Sequence, residues 1–127
     1  MSHVDQADRH IVLVVEDEAI IRLAAVDMIE SAGFAVIDAA DATAAMRLLE
    51  ERSGIGVVFT DVDMPRGING LELAACIKSR WPGIHVIITS GKAEAVRAQL
   101  PEDCVFFAKP YHEARVVDEV RKGLGRL

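Results

Sequence analysis

Residues 11–17 read IVLVVED, so five consecutive apolar residues end directly at an acidic pair. Three later stretches have the same form: VVFT leads into Asp61, VIIT into Ser90 and CVFFA into Lys109. Short, nearly uninterrupted apolar runs are typical of parallel strands that are covered on both faces. If these runs belong to one parallel sheet, their polar ends meet at its carboxyl edge, where open α/β sheets build their sites.

The strand-like runs alternate with stretches of helical spacing. The predicted strands are residues 11–15, 35–38, 56–60, 85–89 and 104–108. A short helix is predicted over 93–100. Each of the other four predicted helices places a group of apolar residues toward the sheet: Ile21, Ala24, Ala25, Met28 and Ala32 in the first; Ala45, Leu48 and Leu49 in the second; Leu73, Ala74 and Ile77 in the third; and Val116, Val117, Val120 and Leu124 in the last. Strict β-α alternation predicts an α/β fold, a flavodoxin-like doubly wound parallel sheet of five strands in the order 2-1-3-4-5 with five helices.

Size and composition restrict the function. A chain of 127 residues with 51% hydrophobic residues is expected to form one domain. Its net charge of −6, without a local cluster of Lys and Arg, argues against direct binding of nucleic acid. The apolar runs are too short to span a membrane and the start MSHVDQADRH is not a signal peptide, so a cytoplasmic location is expected. Cys76 and Cys104 are isolated and are interpreted as reduced thiols.

The acidic residues predict a metal site. In the order 2-1-3-4-5, Asp17 and Asp61 face each other across the first and third strands. Two carboxylates about 4 Å apart repel by roughly 4 kcal/mol at an effective dielectric near 20, and a bound cation removes that conflict. Because the cluster offers oxygen ligands without His or Cys, the expected ion is Mg²⁺.

Three side chains at this edge suit phosphoryl chemistry. Asp61 can accept a phosphoryl group as an acyl phosphate when a metal neutralises the developing charge. Lys109 is a point charge for phosphate oxygens, although an ordinary surface lysine is the alternative. It precedes Pro110, and such a peptide bond can be cis. Ser90 offers a hydroxyl to the same phosphate, although a helix N-cap is an equal alternative.

At this level of detail the chain closely resembles the receiver domain of bacterial two-component response regulators, over residues 11–124. The resemblance depends on VVEDE (14–18), TDVDMP (60–65), NGLEL (69–73), ITSG (88–91) and AKPY (108–111). It implies a receiver domain over 11–127 after a flexible N-terminal segment of residues 1–10. It also implies that a sensor histidine kinase or a histidine phosphotransfer protein phosphorylates Asp61. Asp17 and Asp61 would ligate Mg²⁺ directly, Glu16 through a water and Asp63 through its backbone carbonyl.

The resemblance also implies a switch that couples a hydroxyl on strand 4 to an aromatic residue on strand 5. These positions correspond to Ser90, with Thr89 as the rival hydroxyl, and Phe106, whose movement is expected to depend on packing alone. Two features depart from the family pattern. The loop 65–70 is one residue longer than usual, and Lys92 occupies a position that tunes dephosphorylation.

The chain is therefore expected to be a signalling switch rather than an enzyme, one that takes part in its own phosphorylation and dephosphorylation. Whether it relays phosphate or ends the signal by binding an unknown downstream protein stays open. The expected partner face is Val96, Leu100, Phe107, Tyr111 and Val117. One alternative is a haloacid-dehalogenase-like phosphatase that uses Asp61 and Asp63, but in that family the acidic metal ligands follow the DxD strand rather than precede it. A flavodoxin-like flavin binder is disfavoured because carboxylates follow strand 1. Trp81 is expected at the opposite edge of the sheet.

Overall fold

The computed structural model describes residues 9–64 and 67–125. Five parallel strands form one sheet in the order β2-β1-β3-β4-β5, which confirms the predicted topology. The strands are β1 (Ile11–Val15), β2 (Ala35–Ala39), β3 (Ile55–Asp61), β4 (His85–Ser90) and β5 (Cys104–Ala108). The helices are α1 (Ala19–Ser31), α2 (Ala42–Glu51), α3 (Gly70–Arg80), α4 (Ala93–Arg97) and α5 (Glu113–Gly123). All five predicted strands are present, and two of them end at a site residue, Asp61 and Ser90.

The hydrophobic core lies in two layers, one on each face of the sheet. Alternate residues of the central strands, such as Leu13 and Val58, pack with α2, α3 and α4. The residues between them, such as Val14 and Val57, pack with α1 and α5. Every residue of β1 and β3 is buried. Coverage on both faces explains why these strands are apolar without alternation, and it fixes their carboxyl ends rigidly.

The start of α3 is held against the end of β3. Asn69 caps the helix because its side chain accepts a hydrogen bond from the Glu72 amide (2.9 Å), while the Glu72 carboxylate accepts one from the Asn69 amide (3.0 Å). Gly70 packs so closely that a Cβ there would collide with the backbone carbonyl oxygen of Asp61. Only glycine permits this approach, which brings α3 to the edge where Asp61 lies.

Helix α1 departs from its predicted packing. Ile29 is fully buried, whereas Ile21 and Ala24, which were expected inside, are exposed. Only three residues separate the end of β1 from the start of α1, so the first turns of the helix lie at the carboxyl edge of the sheet rather than over its face. Ile20 (83% exposed) and Leu23 (64% exposed) extend this exposed apolar surface.

Two expectations about chain segments fall partly outside the described residues. The N-terminal segment 1–10 is described only at residues 9 and 10, and there the His10 amide donates to the carbonyl of Gly54 (2.9 Å), so the end of the segment is attached to the fold. In the longer loop 65–70, residues 65–66 lie outside the described residues. Helix α4 ends at Arg97 rather than at the expected residue 100. None of the helices in the described ranges has the length and hydropathy of a membrane span.

Candidate functional site

Three carboxylates converge at the carboxyl edge of the sheet. Oxygens of Glu16, Asp17 and Asp61 all lie within 4.8 Å of one another. Glu16 and Asp17 directly follow β1, Asp61 ends β3, and these strands pair side by side with Val15 opposite Thr60. Glu16 and Asp61 are buried, whereas Asp17 is exposed. The structure therefore brings together the acidic residues that the order of the strands predicts to meet.

Lys109 supplies the positive charge beside this acidic cluster. Its ammonium lies 3.0 Å from Asp61 Oδ1, and its backbone amide donates to the carbonyl of Ser90 (2.9 Å), which ties the end of β5 to the end of β4. The Lys109–Pro110 peptide bond is cis. Burial by itself lowers the pKa of Lys109, but the neighbouring carboxylates of Asp61 and Glu16 outweigh burial and raise that pKa overall. The lysine is therefore charged across the physiological range.

The carboxylates resist ionisation in spite of that lysine. Burial, with smaller contributions from Asp61 and Asp17, raises the pKa of Glu16 from 4.5 to about 7, although the Glu18 amide that donates to Glu16 Oε2 (3.0 Å) opposes the shift. Burial also raises the pKa of Asp61, against the opposing effect of Lys109. One lysine does not compensate three carboxylates, so the site favours an additional cation.

A divalent metal fits the donor atoms of this cluster. Asp61 Oδ1 is completely buried, and no described residue donates a well-aligned hydrogen bond to it, although Lys109 lies close by. A buried acceptor of this kind has unused capacity for a ligand. The donors are all carboxylate oxygens, the set that Mg²⁺ prefers, and exposed Asp17 leaves the outer side of the cluster open to water.

Ser90 and Asp63 are in contact through their side chains. The Ser90 hydroxyl donates to Asp63 Oδ2 (3.3 Å) and accepts a hydrogen bond from the Lys92 amide (3.0 Å). The Lys92 ammonium lies 3.9 Å from Asp63 Oδ1. The prediction assigned Asp63 only a backbone carbonyl, and this side-chain contact was missed. It joins the end of β4 to a loop residue 27 positions earlier in the chain, so residue types and strand ends alone do not reveal it.

The rival hydroxyl, Thr89, occupies a different environment. Thr89 pairs with Asp61 across β3 and β4 and lines a small cavity with Phe59, Lys109 and Tyr111. Its hydroxyl is buried and has no hydrogen-bond partner among the described residues. Ser90, by contrast, already takes part in the hydrogen bonds of the site.

Phe106 lies half-buried on β5, and its ring packs against the core beneath α3 and α4. The Arg97 guanidinium lies 5.1 Å from the ring centroid. A cation–π contact with α4 thus adds to the packing of this ring, and the dependence of its movement on packing alone stays a prediction.

The structure confirms the predicted position of Trp81 but not all of the expected partner face. Trp81 precedes β4 and borders a cavity of about 470 Å³ with Arg9 and Glu50, at the edge opposite the acidic cluster, as predicted. The expected partner face was wrong at Val96, which is buried in the core, and Phe107, Tyr111 and Val117 pack partly against the opposite core layer. The exposed large apolar residues of the described ranges lie elsewhere: Ile20, Ile21, Leu23 and Ile68.

Arg22 was not singled out from the sequence. Its guanidinium donates to the backbone carbonyl of Glu16 (2.8 Å) and to Asp38 on β2 (2.9 Å). The contact anchors the turn that presents the acidic pair. An arginine in the first turn of α1, together with an acidic residue on the edge strand, is a signal that could have identified it.

The sequence of this chain is similar to those of known signalling proteins. Residues 12–121 match the family described as response regulator receiver domain. Sensor kinase CckA of Brucella abortus is 34% identical over 89% of this chain and 12% of that protein, and transcriptional regulatory protein FixJ of Azorhizobium caulinodans is 33% identical over 89% and 54%. The chain thus spans about half or less of these relatives. Chemotaxis protein CheY of Thermotoga maritima is 29% identical, covering 87% of this chain and 94% of that protein.

Comparison with solved structures gives the same family as the sequence matches. A response regulator receiver domain protein from Clostridium thermocellum has a TM-score of 0.82 and 26% identity, over 92% of this chain and 95% of that one.

Proposed function

The chain belongs to the response regulator receiver domain family, and from that premise we propose that Asp61 accepts a phosphoryl group from a phosphohistidine. Receiver domains act as signalling switches and generally bind Mg²⁺ at an acidic pocket. The observation that carries the proposal is the position of Asp61, buried between two further carboxylates and 3.0 Å from Lys109. The donor would be a sensor histidine kinase or a histidine phosphotransfer protein.

The side chains have separate roles in the transfer. An oxygen of Asp61 attacks phosphorus, a P–O bond forms, and the N–P bond of the donor histidine breaks with its electron pair returning to the imidazole. Lys109 holds phosphoryl oxygens, and Ser90 donates a hydrogen bond to one of them. Asp17, Asp61 and the Asp63 carbonyl would hold Mg²⁺ directly and Glu16 through a water. The ion supplies positive charge against the developing negative charge.

Phosphorylation would then change the conformation of residues next to Asp61. The added group brings close to two negative charges to a site that already has excess acidic charge. Rotation of the Ser90 hydroxyl toward the phosphoryl group, together with movement of Phe106 on the neighbouring strand, would convert this change into a new surface. The Arg97 contact with Phe106 supports the proposal, because it gives the ring a defined partner to leave.

The α1 patch, defined as Ile20, Ile21 and Leu23, is the surface we assign to the phosphodonor. It begins three residues after Asp17, so a protein seated on it would be at the edge where Asp61 lies. Exposed apolar residues in a group mark protein interfaces more often than isolated ones do. The downstream target, a relay or terminal role, and a cytoplasmic location remain parts of the proposal.

The phosphatase alternative has less support. Asp61 and Asp63 form a DxD pair after a strand, but the Asp63 carboxylate contacts Ser90 and Lys92 rather than the acidic cluster. In addition, the acidic pair Glu16–Asp17 precedes the DxD strand in this sequence, whereas that family places its acidic metal ligands after it. The family match also disfavours it.

Labelling with acetyl phosphate and Mg²⁺, read by intact-protein mass spectrometry, tests the assignment. We expect one phosphoryl group on the wild-type chain, none on Asp61→Asn and none in EDTA. Asp118→Asn is the matched control, because its side chain is 72% exposed on α5 away from the site. Full labelling of Asp61→Asn would contradict the acceptor assignment, and sustained turnover of phosphomonoesters would favour the phosphatase.

A further inference from the structure

We propose that the Asp63 side chain is an internal competitor for the Ser90 hydroxyl, occupying the hydrogen bond that the phosphoryl group on Asp61 needs. Lys92 holds Asp63 in this position. The inference rests on the proposed function, since it assigns Ser90 to the phosphoryl group. It adds a positioning role for Asp63 that is separate from its backbone carbonyl.

The competition follows from the hydrogen-bonding capacity of one hydroxyl. Ser90 has a single proton to donate, and it donates to Asp63 Oδ2 at 3.3 Å. Its lone pairs already accept the Lys92 amide at 3.0 Å. The hydroxyl therefore has no second proton for a phosphoryl oxygen. Binding a phosphoryl group through Ser90 requires the contact with Asp63 to break.

Movement of the backbone around Ser90 does not break the contact with Asp63. Ser90 is fully buried at the end of β4, and its carbonyl accepts the amide of Lys109 at 2.9 Å. On the other side, the Val62 amide donates to the carbonyl of Thr89 (3.0 Å). Neighbouring strands thus fix the position from both sides. The Ser90 hydroxyl can therefore exchange hydrogen-bond acceptors only by rotation of the hydroxyl or by movement of the Asp63 side chain.

Asp63 and Lys92 are able to move. Their side chains are 45% and 76% exposed, and the ammonium and carboxylate are 3.9 Å apart. An exposed ion pair at this distance is weak and is screened by salt. The contact therefore biases Ser90 without locking it, and the effect expected from removing it is several-fold rather than many orders of magnitude.

A simpler explanation must be separated from this one. The negative charge of Asp63 also repels an incoming phosphoryl anion, whatever Ser90 does. The two explanations differ in what they require of the acceptor atom. Competition needs an oxygen that accepts from Ser90, and asparagine keeps such an oxygen. Repulsion needs only the charge, which alanine and asparagine both remove.

Titration with beryllofluoride in the presence of saturating Mg²⁺, followed by calorimetry on the full chain, decides between them. We expect Asp63→Ala to bind beryllofluoride about three- to tenfold more tightly than wild type, equivalent to about 0.7–1.4 kcal/mol. Asp63→Asn should gain clearly less. In a Ser90→Ala background, Asp63→Ala should change the affinity by less than about twofold, because no hydroxyl remains to be released.

Each other result overturns the inference. An equal gain with and without Ser90, or equal gains for alanine and asparagine, would assign the effect to charge repulsion. If Asp63→Ala does not increase the affinity for beryllofluoride, Asp63 does not compete for the Ser90 hydroxyl. Mg²⁺ affinity of every variant is measured separately, so that an altered metal site is not mistaken for an altered hydroxyl. A wild-type chain that fails to bind beryllofluoride would instead overturn the proposed function, and with it the competition.

Discussion

Replacing Glu16 by glutamine should stabilise the metal-free protein at alkaline pH and remove much of the pH dependence of its stability. The pKa of Glu16 is raised from 4.5 to about 7, mainly because the carboxyl is buried and secondarily because Asp61 lies beside it. A carboxyl whose pKa is higher in the folded than in the unfolded state favours folding below pH 4.5. That contribution is lost as the pH rises through 7.

The size of the effect follows from the shift. A pKa that rises from 4.5 to about 7 corresponds to a few kcal/mol, at about 1.4 kcal/mol per pKa unit, and relaxation and solvent screening reduce this to about 1–3 kcal/mol. Glutamine resembles the protonated acid in shape and charge. Between pH 5 and pH 8 the wild-type chain should therefore lose about 1–3 kcal/mol more of its free energy of unfolding than Glu16→Gln does.

Urea unfolding in EDTA at the two pH values measures this difference. Glu30→Gln, an exposed glutamate on α1, is the matched control and should behave as wild type. Saturating Mg²⁺ should restore the wild-type stability at pH 8, because a cation favours the ionised carboxylates. Equal losses for wild type and Glu16→Gln would show that this carboxyl does not carry the pH dependence.

Three further predictions concern the surroundings of the site. Thr89→Val should stabilise the chain by about 1 kcal/mol in urea unfolding, because the buried hydroxyl lacks a partner among the described residues; destabilisation would contradict this. Lys92→Ala should lengthen the lifetime of the phosphorylated form about twofold, because Asp63 is held less firmly against Ser90; equal decay rates would rule it out. Trp81 fluorescence should not respond to Mg²⁺, because the indole lies at the other edge of the sheet; strong quenching on titration would show otherwise.

The topology was predictable because it depends on features that are local in the sequence. Each strand is an apolar run, each helix has its own spacing, and the right-handed crossover rule converts their alternation into one order of strands. The meeting of Asp17 with Asp61 follows from that order, since β1 and β3 are neighbours. Residue type and strand end together were sufficient for the acidic cluster and for Lys109.

The parts that were missed depend on which side chains face one another in loops. The Ser90–Asp63 contact joins the end of β4 to the turn after β3, and that turn has no periodic pattern from which an orientation can be read. The same holds for Arg97 over Phe106. In α1, spacing predicted that Ile21 would be buried, but periodicity does not show where a helix extends beyond the sheet that it covers.

The burial that raises the pKa values of Glu16 and Asp61 would also explain how the site acts as the proposed switch. Glu16 and Asp61 are held by strands that are buried on both faces, so the chain cannot relieve their repulsion by moving them apart. Any group that brings positive charge is then bound partly because it removes this conflict. In the proposed function a phosphoryl group would restore negative charge at the same point. Because the strands are rigid, the response would then come from the groups that can move: the Ser90 hydroxyl and the side chains of Asp63 and Lys92. A cluster on a flexible loop would instead spread apart, and neither the ion nor the phosphoryl group would change the position of a hydroxyl on β4.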